Sequence, residues 1–249
     1  MRNLAVIAFA SCFAGAQAVS LFSDGFETGD FSLWTAAAAT GVSSVQTTTV
    51  HSGTFAAQMS GTTGSRRFAN ASRAELPGET IEYSFWMKLN AASGNHRHFS
   101  EIRSYAGDVY NVGALEQLYA IGTWNAATVN TYSSAKWQAR LTFNRAGGPA
   151  VAGWYTLTDA PNRTTDWTKF TVKLSPTTIE FYVNDVLGLA AMDRGNTGSI
   201  DSVILGSNLS SASIDAFYDD VSLTAVPEPA SLAALGVGAA ALLRRRRRA

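Results

Sequence analysis

The chain has one cysteine, Cys12, and six prolines among 249 residues, and only 15% of its residues are charged. A lone cysteine excludes an internal disulfide framework, and its position near the N-terminus leaves the rest of the chain without a thiolate site. Between the two ends, no interval carries a sustained 3.6-residue apolar stripe, which excludes a helical bundle and a βαβ alternation. Basic runs are missing except in the last six residues, so nucleic acid is excluded as the partner of the folded part. Stability must therefore come from an apolar core of β type, with a bound metal as a possible staple.

Both ends read as export signals. Met1-Arg2-Asn3 is a short positive region, Leu4 to Ala16 is apolar, and Ala16-Gln17-Ala18 is a cleavage site, which predicts a signal peptide over 1–18 cut after Ala18. Phe9 stands where a lipoprotein signal needs an aliphatic residue before Cys12, which argues against lipidation. At the other end come Val226-Pro227-Glu228-Pro229, 14 small or apolar residues from Ala230 to Leu243, and five arginines beginning at Arg244. As a helix those 14 residues would span roughly 21 Å, short of a ~30 Å hydrocarbon core. The arginines would hold the cytoplasmic side, so the segment reads as a transient anchor. This order of proline bracket, apolar segment and basic stop resembles the PEP-CTERM sorting signal. The resemblance implies an exosortase as processing partner and a final place at the cell surface or in an exopolysaccharide matrix.

The net charge of zero is an average over unlike parts. Of 19 basic residues, six (Arg2 and Arg244 to Arg248) lie in the export segments, and of 19 acidic residues one (Glu228) does. The remaining 13 basic and 18 acidic side chains give the domain, residues 19–225, a net charge of −5. Such a surface suits neutral glycans or calcium.

Short runs alternate with period two: Ile81 to Leu89, Lys136 to Phe143, Thr168 to Leu174, Thr178 to Val183 and Phe217 to Leu223. Ser175-Pro176-Thr177 is turn chemistry, Asn184-Asp185 predicts a tight hairpin, and Asn70 to Pro77 and Gly147-Gly148-Pro149 read as loops. A short linker is expected before Pro227. Many short antiparallel strands predict an all-β sandwich or jelly roll, flanked by the two export helices. Several phrases are similar to the concanavalin A-like, laminin-G-like jelly rolls. They are Phe22-Ser23-Asp24-Gly25-Phe26-Glu27-Thr28-Gly29-Asp30-Phe31, His51-Ser52-Gly53-Thr54-Phe55-Ala56-Ala57, Glu180 to Asp185, and Phe217-Tyr218-Asp219-Asp220-Val221-Ser222-Leu223. The superfamily holds lectins, lyases, glucanases and adhesive modules, so the resemblance speaks for fold more than for activity.

Three constellations are candidates for function. In related carbohydrate-binding jelly rolls the Glu of the opening phrase and an Asp of the last strand hold a structural calcium, which implies Glu27 and Asp219 here, with Asp24, Asp30 and backbone carbonyls completing the oxygen set. Alternation places Asp219 with Phe217, Val221 and Leu223, facing inward, where a carboxylate needs a partner. Asp24 and Asp30 read equally as turn-forming residues. A sugar-binding face needs aromatic platforms edged by planar hydrogen-bonding groups. Lys136, Gln138 and Arg140 on one strand side, with Gln117, Tyr119, Arg103, Trp86 and Trp124, supply those types, although core packing is the commoner role of such aromatics. The third is Asn95-His96-Arg97-His98-Phe99-Ser100-Glu101-Ile102-Arg103. Its Ser-Glu-Ile-Arg resembles the first motif of jelly-roll alginate lyases, but their Gln-Ile-His and Tyr-Lys-Ala-Gly segments have no counterpart, and the glucanase Glu-x-Asp-x-x-Glu strand does not occur. A solvated loop is the plainer reading of this segment. The chain is thus expected to be an exported, non-enzymatic binding or structural module, for which extracellular polysaccharide is the candidate ligand. The alternative is a jelly-roll polysaccharide lyase or glycoside hydrolase.

Overall fold

The computed structural model describes residues 18–34, 43–59, 66–73, 79–94, 96–106, 113–143, 151–175, 177–189, 200–206 and 214–227. The two expected export helices and the 144–150 loop lie outside these residues. The described chain is all strand and turn: β1 (Val19–Asp24), β2 (Ser43–Gln46), β3 (Ala56–Met59), β4 (Arg66–Arg73), β5 (Glu79–Leu89), β6 (Phe99–Tyr105), β7 (Leu115–Gly122), β8 (Gln138–Phe143), β9 (Val151–Thr156), β10 (Thr168–Leu174), β11 (Ile179–Val183), β12 (Val186–Leu189), β13 (Ile200–Leu205) and β14 (Ala216–Pro227). They form the expected antiparallel jelly-roll sandwich. One sheet has the order β12-β11-β10-β5-β14-β3-β2, with β1 also paired to β14; the other has the order β4-β13-β6-β7-β8-β9.

The core lies between the sheets, and the period-two runs build it. Ile81, Tyr83, Phe85, Met87 and Leu89 of β5 are fully buried, and their register neighbours Phe170, Val172 and Leu174 of β10 point the same way. Ile102, Tyr119, Ile121, Leu141 and Phe143 meet them from the six-stranded sheet. Phe85 stacks on Phe170 at 5.2 Å, and Trp137 meets Phe170 edge-on at 4.8 Å. Burying an aromatic side chain of this size contributes about 1.5–3 kcal/mol, so this cluster dominates the core. Asn184 and Asp185 adopt φ of 48° and 62°, the left-handed pair that a two-residue hairpin between β11 and β12 requires.

Three local expectations are corrected. Asn70 to Arg73 belong to β4 rather than to a loop, and residues 74–78 lie outside the described set. No linker precedes Pro227, because β14 runs to that residue. The face assigned to Asp219 also changes. The pairing of β14 with β5 slips between Asp219 and Ser222, where Asp220 takes a φ of 46°. A bulge of this kind inserts an unpaired residue and reverses the facing of the residues beyond it. Asp219 therefore shares the outer side with Phe217, while Tyr218 before the bulge and Val221 and Leu223 after it face the core.

His98, at the entry to β6, is fully buried instead of solvated. Its Nε2 bonds the Ile214 carbonyl at 2.6 Å, while Nδ1 is buried without a partner among the described residues. Burial pushes the imidazole down to about 4; the Ile214 carbonyl and Asp215 oppose the shift, and His96 adds to it. A base held neutral in the fold gives stability that is complete above its ordinary 6.5 and is lost as pH falls from 6.5 to about 4. The loss expected is roughly 3 kcal/mol. Urea unfolding from pH 7 to 4 should show this decline in the wild type and a flatter profile in His98→Phe.

Candidate functional site

The expected metal ligands come first, because three of the jelly-roll phrases meet at the β14 bulge. Asp219 is fully buried there. Its Oδ2 accepts the backbone N–H groups of His51 (2.9 Å) and Ser52 (3.2 Å), and its Oδ1 accepts that of Asp220 (2.8 Å). Glu27 takes two further amides of the same turn, beyond Gly53: Oε1 accepts from Thr54 (3.0 Å) and Phe55 (3.1 Å). Asp220 accepts from the Ser52 hydroxyl at 2.7 Å and lies 2.7 Å from His51 Nδ1. Gly53 is required at the apex, since its φ is 66° and a Cβ would lie 2.3 Å from Glu27 Oε1. Asp24 serves a separate turn, accepting from Phe26 N at 2.7 Å and Trp34 Nε1 at 2.5 Å.

The carboxylates of Glu27 and Asp219 thus bond the amide hydrogens of the turn. Among the described residues no group of three His, Cys, Asp or Glu side chains is placed to share an ion. Glu27 and Asp219, the pair for which the sequence implies a calcium, act as a clamp on the 51–55 turn. Burial pushes the carboxyls of Asp219 and Asp24 up from their ordinary value, and the N–H groups around each oppose it.

The second candidate is the outer face of the six-stranded sheet. Register sets Ile204, Glu101, Ala120, Arg140 and Trp154 in one row across β13, β6, β7, β8 and β9. The next row carries Ser202, Arg103, Leu118 and Thr142. Glu101 is 2% exposed and pairs through Oε1 with Arg103, whose other terminal nitrogen donates to the Tyr105 hydroxyl at 2.9 Å. Trp124, from the segment after β7, lies parallel on Trp154 at 4.7 Å and 2°. Arg97 caps Trp124 at 4.6 Å, Arg140 lies 5.9 Å from the Trp154 ring, and Phe99 abuts both indoles edge-on. The result is a guanidinium–indole–indole–guanidinium stack beside a buried ion pair. Burial presses Arg140 down from its ordinary value; Glu101 opposes that and Arg103 reinforces it. Among the described residues, Glu101 Oε2 and the Nε atoms of Arg97 and Arg103 are buried without a hydrogen-bond partner. Buried polar atoms of this kind call for a ligand or water.

Of the eight residues expected to bind sugar, the structure brings Arg103, Arg140 and Trp124 together on this face. Gln138 lies at its border, but its side chain is fully used: Oε1 accepts from Trp124 N (2.9 Å) and from Arg163, and Nε2 donates to the Ser133 and Lys136 carbonyls. Lys136 reaches the Ala160 carbonyl at 2.7 Å, away from the stack. Gln117 and Tyr119 are corrected more strongly. Both are fully buried on the core side, where the Tyr119 hydroxyl donates to Gln117 Oε1 at 2.7 Å. Trp86 sits on the outer side of the other sheet, stacked on His51 at 3.8 Å. His96 is 5% exposed and bonds the Ser93 carbonyl, so the histidine pair shares no metal-binding face. Sequence reasoning missed Trp154 and Arg163. Arg163, 5% exposed, bonds the carbonyls of Lys136, Gly94 and Trp124 and so fixes the approach to Trp124.

The fold is shared widely among solved structures. The conserved carbohydrate esterase vb_24B_21 from the Shiga toxin-encoding bacteriophage phi24B has a TM-score of 0.55 at 11% identity, over 84% of this chain and 99% of that one. The binding domain of botulinum neurotoxin serotype G has a TM-score of 0.50 at 10% identity, over 82% and 47%. The alginate lyase AlyC3 in complex with dimannuronate has a TM-score of 0.48 at 12% identity, over 69% and 75%. At these identities the first two show a likeness of fold. No curated protein matches the chain in sequence. The class is therefore a jelly-roll β-sandwich. Its tail is more particular: residues 225–248 match the family described as the PEP-CTERM protein-sorting motif. The chain carries that motif and is sorted for export, to the cell surface or the extracellular space.

The clamp makes a direct prediction. Asp219→Ala strands the amides of His51, Ser52 and Asp220 and should cost about 1–2 kcal/mol, or roughly 3–8 °C of melting temperature for a domain of this size. A chelator that lowers the wild-type melting temperature would add the calcium implied by the sequence to this clamp; an unchanged value would leave the turn to its amide bonds alone. Differential scanning calorimetry with and without EDTA reads both.

Proposed function

We propose that the domain is a non-catalytic carbohydrate-binding module of the cell surface or exopolysaccharide matrix. Its ligand would lie on the outer face of the six-stranded sheet, and an exosortase would be the partner that processes its tail. The observation that carries this reading is the stack of Arg97, Trp124, Trp154 and Arg140 beside Glu101 and Arg103. Indole rings match the apolar C–H faces of sugars, and guanidinium groups bond hydroxyls and carboxylates through a planar fork. Three guanidinium groups against one carboxylate, in a domain of net charge −5, make this face locally cationic. It suits an acidic polysaccharide better than a neutral one.

A second reading has one observation in its favour. Glu101 keeps a free buried oxygen near the Tyr105 hydroxyl that Arg103 engages, and such groups are able to move a proton. Affinity electrophoresis through gels containing sodium alginate or a neutral glucan separates the two. Binding should retard the wild type in the alginate gel, and Trp124→Ala or Arg140→Gln should lose about tenfold in affinity, near 1.4 kcal/mol. Trp86→Ala should bind as the wild type does. Retardation unchanged in Arg140→Gln and Trp124→Ala would remove this face from the reading. Release of unsaturated uronate, lost in Tyr105→Phe, would make the protein a lyase.

A further inference from the structure

The sorting motif starts inside the fold. It begins at Ala225, whereas β14 continues to Pro227. Ala225 is fully buried and belongs to the core cluster. Ala225, Val226 and Pro227 pair with Ile81, Thr80 and Glu79 of β5. Ala225 is flanked on its other edge by Val19 of β1. The first residue of the motif is therefore held between two strands, and the next two are held along one. Pro227 brings no N–H to the ladder. The Pro-Glu-Pro bracket thus begins on a residue that is still part of β14.

A processing enzyme that reads an extended segment does so through the backbone groups of that segment and through its flanks. Along Ala225 and Val226 those groups point alternately to the two edges of β14; β5 lies along one edge of both residues, and β1 lies along the other edge of Ala225. We propose that this pairing is a latch: the enzyme gains the start of the motif only when the end of β14 frays from β5 and β1. Fraying of a strand end is among the lowest-energy openings of a fold, so the latch slows processing without forbidding it. The rate of tail processing then reports the stability of one strand end. This does not depend on what the domain binds, since it rests on the motif boundary and the strand register alone.

The test follows tail processing of the full chain by pulse-chase immunoblotting in cells that contain the processing enzyme. Inserting Gly-Ser-Gly-Ser between Thr224 and Ala225 leaves the pairing to Thr224 intact and moves the whole motif off the sheet. Processing should accelerate several-fold, because the opening of the strand end is no longer needed first. The double variant Thr80→Cys/Val226→Cys joins register partners, which in an antiparallel pair lie within disulfide reach. It should be processed several-fold more slowly than the wild type when oxidised, and at the wild-type rate after a mild reductant, which also shows that it has folded. A spacer variant processed no faster than the wild type overturns the latch. So does an oxidised double variant processed at the wild-type rate.

Discussion

Strand β14 has one neighbour on one side and two on the other, and the sandwich depends on how it manages the change. It keeps β5 along nearly its whole length, but Ala216 to Tyr218 pair with β3 and Val221 to Ala225 pair with β1. The exchange happens at Asp219 and Asp220, where the bulge and the left-handed backbone of Asp220 break the pairing phase. A non-glycine residue with positive φ is held against its preference, so its surroundings must stabilise it. Here the surroundings are the amides and side chains of the 51–55 turn, bonded by Asp219, Asp220 and Glu27. The opening phrase, the 51–57 phrase and the last strand together make this junction.

Beyond the junction the two sheets have different characters. In the eight-stranded sheet one face is packed and the other is partly wet, as in β5 and β11, where buried and half-buried residues alternate. In the six-stranded sheet β6, β7 and β13 are buried on nearly every residue. Their inner side meets the core, and their outer side carries the indole pair, the guanidinium groups and Glu101. Charge on that outer side is expensive to hold away from water unless it is paired. Glu101 and Arg103 are paired and Arg140 leans on an indole, yet among the described residues one carboxylate oxygen and two Nε atoms stay without partners. This residue of unmet polarity is the feature that most sets the face apart from a plain core.

The same difference decides what could be read in advance. β5, β10 and β11 were legible because one-sided burial writes itself as alternation, and Asn184-Asp185 was legible because only a few residues accept a left-handed pair. β13, with Ile-Asp-Ser-Val-Ile-Leu buried throughout, has no alternation to find. The facing of Asp219 was misread because a bulge leaves no mark in composition: Asp219-Asp220 looks like any two strand residues. Gln117 and Tyr119 looked like sugar ligands by residue type, but they satisfy each other inside the core. Trp154 and Trp124 are 30 positions apart and meet only because β7, β8 and β9 are neighbours, so their stacking is a property of topology. The tail, by contrast, was readable in full, since a sorting signal is recognised as sequence.

If the outer side of the six-stranded sheet is the ligand face, that face should be the one a polysaccharide protects. Hydrogen–deuterium exchange of the full chain with and without sodium alginate reads this directly. Exchange should slow in β6, β7, β8 and β9 and in the Trp124 segment, with β5, β10 and β11 unchanged. Slowing confined to β5, β10 and β11, or no slowing at a saturating concentration, would contradict a ligand face on the six-stranded sheet.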